Sequence, residues 1–309
     1  MDGIYFPGMH IFFKKVISEI SIFKLEITMY AVIITLGFIL ALLVASKEGK
    51  RTGQNEEDYL DFFLVMIIPT LIGLRLYYVL FNLDRFIVEG KSAGQIFLDM
   101  INIRNGGLAV YGGLIAGTLT GFIFAKVKKI NFPLFGDCIA LGVLVGQILG
   151  RWGNFFNREA FGEYTNGLFA MRLKVEEVSG VISKTIEEHT INVSGVNYIQ
   201  VHPTFLYESF ACLVLFIIIM ILKRHKRFHG EITCYYMIGY GIIRFMIESL
   251  RTDQLTFAIF KQRIAISQVV SVTIVLIAFI MYLVFMKKNA TEKDVEDREE
   301  SKIRIFKEK

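Results

Sequence analysis

The sequence predicts an all-α polytopic membrane protein with about seven transmembrane helices and a small extracytoplasmic segment able to hold short strands. Three observations predict it. The 309 residues are 54% hydrophobic with a mean hydropathy of +0.51, far more apolar than a soluble domain. The apolar residues come in blocks rather than on one face, and a helix needs ~20 of them to cross a bilayer core. Basic residues crowd alternate short loops between the blocks, as membrane topology places them.

In order along the chain, residues 1–26 form an N-terminal extracytoplasmic segment, within which 11–22 reads as an amphipathic surface helix. It does not read as a cleavable signal: Lys14 and Lys15 sit in its middle, and no small-residue cleavage site precedes the first span. Residues 27–286 are the membrane domain, with spans at 27–45, 62–81, 108–125, 134–149, 204–222, 232–247 and 264–286. The fourth and sixth are the shortest. Residues 162–201 form an outer head, where 167–175 and 190–201 are rich in β-branched and aromatic residues and predict a strand pair. Asn192-Val-Ser194 matches a glycosylation sequon by pattern only. Residues 287–309 are a cytoplasmic tail of mixed charge, a frayed solvated helix or disordered. Cys138, Cys212 and Cys234 all fall within spans and read as packing residues.

Loop charge sets the orientation. Lys47, Lys50 and Arg51 follow the first span, Lys126, Lys128 and Lys129 the third, and Lys223, Arg224, Lys226 and Arg227 the fifth. Lys287 and Lys288 follow the seventh. These loops share one side, the cytoplasmic one, which leaves the N-terminus outside and the C-terminus inside. Basic residues are sparser in the outer loops (Arg85, Lys91, Arg104). The net charge of +5 is therefore a topology signal and not a nucleic-acid one.

With that orientation the polar residues of the spans gather at one depth. Tyr30, Arg75, Tyr111, Arg151, His202, Tyr207, Glu208, Glu248 and Arg251 all enter from the outer ends. Snorkelling anchors would be spread over both faces, so a one-sided cluster reads as a site. Its densest part is residues 150–162, GRWGNFFNREAFG. If this stretch begins as a helix, Arg151, Asn154 and Arg158 share a face at i, i+3 and i+7. An arginine fork is always charged and grips phosphate oxygens at two points, and an asparagine beside it both donates and accepts. Asn157, Arg158 and Glu159 can equally serve only to shape the turn.

In the sixth span Tyr240, Arg244, Glu248 and Arg251 make one polar stripe. Arg244 and Glu248 form either an internal ion pair that makes burial tolerable or part of the site; Arg251, at the end, is freer to meet a ligand. His202 is a candidate base or a satisfied structural histidine, and Glu208 is expected to pair with an arginine. Gly113, Gly117 and Gly121 recur every fourth residue, as do Gly142, Gly146 and Gly150. Two such stripes in a hairpin either serve generic helix packing, the commoner case in membrane helices, or face each other; either way Tyr111 comes to a depth similar to that of Arg151.

Several chemistries have no motif here: no pair of histidines with a carboxylate at metal spacing, no Walker loop, no Ser-x-x-Lys and no Gly-x-Ser-x-Gly. No metal or cofactor is expected. The residues alone lead to a membrane protein that handles an anionic headgroup in the outer leaflet. A transporter of an anionic lipid or solute shares these features, although alternating access usually puts its site near the midplane.

The run 150–162 resembles the signature of prolipoprotein diacylglyceryl transferases. Residues 106–113 (GGLAVYGG) are similar to that family's glycine-rich segment, 202–209 (HPTFLYES) and 244–253 to its later blocks, and Met29-Tyr30 to its first-helix motif. The resemblance runs in order through 27–286. It implies transfer of a diacylglyceryl group from phosphatidylglycerol to the lipobox cysteine of a prolipoprotein signal peptide, with release of glycerol phosphate, the first step of bacterial lipoprotein maturation. It also implies a place in the bacterial cytoplasmic membrane, with the site facing the outer leaflet. Arg151 is the position that binds the lipid phosphate in the family, and Tyr30, Asn154 and Arg251 match positions given essential roles. Arg75, Glu208, Arg244, Glu248 and His202 are expected to support them. Tyr111 stands where many members carry histidine. With an ordinary pKa of ~10, tyrosine is a poor base near neutrality, so Tyr111 either orients substrate or is ionised beside arginines.

Overall fold

The computed structural model describes residues 3–22, 25–88, 90–103, 106–259 and 262–307. Arg104 and the side chains from residue 290 onward lie outside what is described. The described chain starts with strands β1 (Gly3–Phe6), β2 (Ile11–Lys14), β3 (Glu19–Ile22) and β4 (Leu25–Thr28). Helices α1 (Met29–Arg51), α2 (Glu57–Leu80), α3 (Ala93–Ile101), α4 (Val110–Val127) and α5 (Phe132–Asn157) follow. Then come β5 (Met171–Lys174), α6 (Lys184–Glu188), β6 (Ile191–Val193), β7 (Val196–Val201), α7 (Thr204–Leu222) and α8 (Glu231–Glu248). A hairpin of β8 (Thr256–Ile259) and β9 (Gln262–Ala265) precedes α9 (Ile266–Lys307).

Among the described residues six helices, α1, α2, α4, α5, α7 and α9, are long and apolar enough to cross a membrane. Their outer faces carry large apolar side chains in the open, such as Leu36, Ile39 and Leu43 on α1 and Ile68, Ile72 and Leu76 on α2. Contiguous apolar surface of this kind is stable against lipid and not against water. Helix α8 covers the expected sixth span but holds Glu231, Arg244 and Glu248, so composition does not class it with the six.

The chain divides into two compact units, residues 45–138 and residues 1–44 with 139–309. In the first unit α2 and α4 pack through small residues. A Cβ on Gly112 would lie 2.1 Å from the Gly73 oxygen, and one on Gly113 would lie 2.8 Å from Leu74. The aromatic rings of Tyr59, Phe62, Phe124 and Phe135 close the other end. In the second unit the α5 stripe lies on α1, with Gly146 against Gly37 and Ala41 and Gly150 against Ile34. Each glycine stripe thus packs on a helix of its own unit, the generic packing reading of the spacing. Small residues permit close approach to any helix with a matching groove, and spacing alone does not choose which.

The head is a five-stranded antiparallel sheet, ordered β2-β1-β5-β7-β6. The two expected strand segments are there as β5 and the β6–β7 hairpin, which turns through Ser194 and Gly195, both at positive φ. The expected helix over 11–22 is not. Those residues form β2 and β3, because Phe12 and Phe13 alternate. Phe12 meets Tyr5, while Phe13 meets Phe6 and Phe155. The buried face of the sheet, Ile4, Phe6, Met171, Leu173, Ile199 and Val201, packs on Phe155, Phe161 and Phe205. Two of those phenylalanines belong to the 150–162 run, so the head core sets the position of the polar residues between them.

Candidate active site

Helix α5 runs past its apolar stretch to Asn157 and carries Arg151 and Asn154 in its last two turns. Three rings fix that end against the start of α7: Trp152 and Phe155 lie 5.4 and 5.0 Å from Phe205. The Trp152 indole N–H also donates to Ser209 Oγ at 3.2 Å. One turn into α7, Glu208 is 1% exposed. Its Oε1 lies 2.8 Å from Arg151 Nη2 and accepts from the Tyr240 hydroxyl at 3.1 Å. Its other oxygen lies 3.7 Å from Arg244. Arg244 is 2.5 Å from Glu248, whose second oxygen accepts from the Ser267 hydroxyl. Buried charge is tolerable here because every member of the chain has a counter-charge. Arg151 Nη1 reaches Asn154 Oδ1 at 3.4 Å, and Asn154 donates its amide to Glu159 at 2.9 Å. Asn157 donates to the same oxygen at 3.3 Å.

Past α5 the chain turns sharply, with Arg158 and Ala160 at φ of 51° and 55°. This overturns the expected shared face of Arg151, Asn154 and Arg158. The helix ends one residue too soon, and the left-handed turn sends Arg158 away. Its guanidinium donates to Val16 O at 2.7 Å and Phe156 O at 3.1 Å, and sits 3.0 Å from Glu177. Arg158 therefore ties the turn to the N-terminal segment and the head.

Three backbone segments then meet at Gly162. Its N–H donates to His202 O at 2.9 Å, the His202 N–H donates to Glu163 O at 3.0 Å, and the Glu163 N–H donates to Leu250 O at 3.0 Å. A Cβ on Gly162 would lie 2.6 Å from Leu250 O, so the crossing has no room for a side chain. The crossing brings Arg251 beside the end of α5, near enough for its charge to be repelled by that of Arg151. Arg251 is not free, as its place at the end of the stripe suggests. Asp253 holds it in a two-point pair at 2.8 and 2.6 Å. Burial works to lower the Arg251 pKa, but the Asp253 carboxylate prevails and holds it above the ordinary value.

Asn154, Glu159, Ser179, Gly180, Arg251 and Asp253 line a polar cavity of about 240 Å³. The ring of Tyr30 covers Gly153 nearby: a Cβ there would lie 2.8 Å from it. His202 Nδ1 lies 3.2 Å from the Tyr207 hydroxyl, and burial pushes its imidazole pKa down, towards the neutral form. Among the described residues no group of histidine, cysteine and carboxylate side chains is arranged to hold a metal.

Arg75 and Tyr111 belong to the other unit. Arg75 is buried and satisfied by backbone carbonyls: Met100, Asp99, Gly106 and Gly107 accept from it at 2.7 to 2.8 Å. Its guanidinium also lies over Tyr78 and Phe86. Its donors tie the end of α3 to Gly106 and Gly107. Tyr111 lies with its ring centre 6.3 Å from that of Tyr77.

Sequence reasoning undervalued Glu159 and left out Asp253 and the 179–181 segment. The usable signal was Asp253, two residues after an arginine that otherwise lacked a counter-ion. Nothing in the 179–181 residues pointed to a cavity wall.

A family model described as prolipoprotein diacylglyceryl transferase matches residues 17–284. The phosphatidylglycerol–prolipoprotein diacylglyceryl transferase of Finegoldia magna is 37% identical over 269 residues, covering 87% of this chain and 95% of its own. The enzyme of the same description from Clostridioides difficile is 37% identical over the same coverage. That from Thermotoga maritima is 35% identical over 292 residues, 91% of each chain.

Proposed function

This chain belongs to the prolipoprotein diacylglyceryl transferase family, and we propose how its residues perform that family's reaction. The protein is a transferase that moves a diacylglyceryl group from phosphatidylglycerol to prolipoproteins, the first step of bacterial lipoprotein maturation. We assign the acceptor as the thiol of a lipobox cysteine in the signal peptide. A sulfur–carbon bond forms at the glyceryl carbon, the carbon–oxygen bond to phosphate breaks, and glycerol phosphate leaves with the electron pair. The thiol has already lost its proton on ionising. A cysteine of pKa ~8.5 is a few per cent thiolate near pH 7, and thiolate is a strong nucleophile without a dedicated base.

The help this reaction needs is stabilisation of charge on the departing phosphate. The observation that carries the assignment is Arg151, held at one nitrogen by buried Glu208 and at the other by Asn154. Two anchors fix the fork before substrate arrives, so it need not reorganise as charge develops. Arg251 joins it once a phosphate oxygen competes with Asp253. Tyr240, Arg244 and Glu248 keep Glu208 in place. Tyr30 closes the α5 side. Tyr111 orients substrate, a role that rests on the family block it occupies.

We place the protein in the bacterial cytoplasmic membrane, N-terminus outside, C-terminus cytoplasmic and the site toward the outer leaflet. Support comes from the basic residues at the ends of α1, α4 and α7 and from the location of Arg151, Glu208 and Arg251 at the opposite helix ends. Helix α8 is the seventh span in this scheme. Its charged residues are paired, Glu231 with Arg227 at 3.0 Å and Arg244 with Glu248, which lets it lie among other helices. On this reading residues 1–26 and 162–201 are outside and 287–309 inside. The test is a reconstitution: purified protein, phosphatidylglycerol and a lipobox peptide, followed by mass spectrometry. Diacylglyceryl-cysteine is expected; an unmodified peptide contradicts the assignment.

A further inference from the structure

The cavity beside Arg251 is not built for a phosphate alone. Among the described residues Arg251 is the one cation that lines it, and Asp253 already neutralises that charge in a two-point pair. Glu159 adds a second carboxylate, with one oxygen accepting from the amides of Asn154 and Asn157. Two carboxylates against one guanidinium leave the wall net negative. An anion seated wholly inside meets more repulsion than attraction. Carboxylates are acceptors only, and each oxygen can take more than one hydrogen bond. The complementary guest is therefore a neutral group rich in hydroxyl donors. A cavity of about 240 Å³ has room for one: water takes about 30 Å³, and a glycerol has six heavy atoms.

The far wall is held on purpose-shaped backbone. The Ser179 N–H donates to Arg158 O at 3.3 Å. At Gly180 a Cβ would lie 2.6 Å from the Phe161 ring, so this segment lies against the signature turn only because no side chain intervenes.

We propose that this cavity is the subsite for the distal glycerol of the lipid headgroup, with the phosphate at its mouth between Arg251 and Arg151. The Asp253 and Glu159 carboxylates accept from the two glycerol hydroxyls, and the 179–181 segment closes the cavity over them. The inference rests on the transferase reading above. It makes headgroup choice a property of Asp253, Glu159 and Gly180, and it assigns Asp253 a second role besides steadying Arg251.

The test compares phosphatidylglycerol with phosphatidylpropanol, which has the same phosphodiester charge and no free hydroxyl, using one lipobox peptide. The quantity read is the ratio of kcat/KM for the two lipids, which does not depend on how much of a preparation is folded. The native protein is expected to favour phosphatidylglycerol by at least about tenfold, since acceptors left unpaired by the analogue penalise it. Both Asp253→Asn and Gly180→Ala are expected to bring the ratio towards one. Equal use of the two lipids by the native protein overturns the subsite, as does a full preference retained in both variants. Preferred use of phosphatidylethanolamine overturns it too, because the carboxylates would then be reading an ammonium. Transfer from none of these lipids removes the transferase reading instead.

Discussion

Glu208 Oε1 lies 2.8 Å from Arg151 Nη2, with Glu208 almost wholly buried one turn into α7. The same carboxylate receives Tyr240 and faces Arg244, so one side chain organises three helices around the arginine. Glu208→Ala leaves the partly buried Arg151 guanidinium without its counter-charge, while Arg244 keeps Glu248, and is expected to cost about 3 kcal/mol. Glu208→Gln keeps the shape and an acceptor and should lose less stability while still slowing transfer. Thermal unfolding in detergent and transfer rate, measured on both variants, check this; equal stability of Ala and native protein speaks against the hub.

Gly153→Ala would press a methyl group into the Tyr30 ring, 2.8 Å from its Cδ2. The ring must move, and overpacking of this kind costs about 1–3 kcal/mol. Transfer is expected to fall well below what the stability loss explains, because Tyr30 is displaced from the site. Normal transfer by a folded Gly153→Ala protein removes Tyr30 from the mechanism.

Arg158 separates structural from substrate-facing arginines. Arg158→Ala strands the Val16 and Phe156 carbonyls and the Glu177 carboxylate. A stability loss of about 1–3 kcal/mol is expected, with KM for phosphatidylglycerol unchanged. A raised KM at native stability would put Arg158 in contact with lipid.

Tyr111→Phe discriminates an orienting side chain from a base. As an orienting ring it should keep most of its rate in phenylalanine, and Tyr111→His should also be active. A loss of about a hundredfold or more in the phenylalanine variant would fit general-base catalysis instead.

Much of the fold could be read from the residues because the bilayer imposes a coarse rule. Apolar runs near twenty residues long became α1, α2, α4, α5, α7 and α9, and the run at 232–247 became α8. The head strands β5, β6 and β7 were visible in β-branched and aromatic runs. Strands β1 and β2 were not: they pair with each other, but the sheet they extend lies far along the chain, joined where Tyr5 pairs with Arg172. The pairing of Glu208 with an arginine was legible because a carboxylate one turn into an apolar helix demands a counter-ion. The partner of Arg251 was harder to see, and the fate of Arg75 could not be seen. Backbone carbonyls satisfy its donors, and carbonyls carry no sequence signal. Arg158 misled for a related reason: a helical wheel assumes the helix continues, and a residue at φ 51° ends it.

The central claim is that Arg151 stabilises the charge on the leaving phosphate. Its most direct test is Arg151→Ala, folded by thermal unfolding, assayed with phosphatidylglycerol and a lipobox peptide. The predicted result is a fall in kcat of about 10²–10³ or more, the usual effect of removing one preorganised charge-stabilising donor. Transfer at a near-native rate would contradict the account.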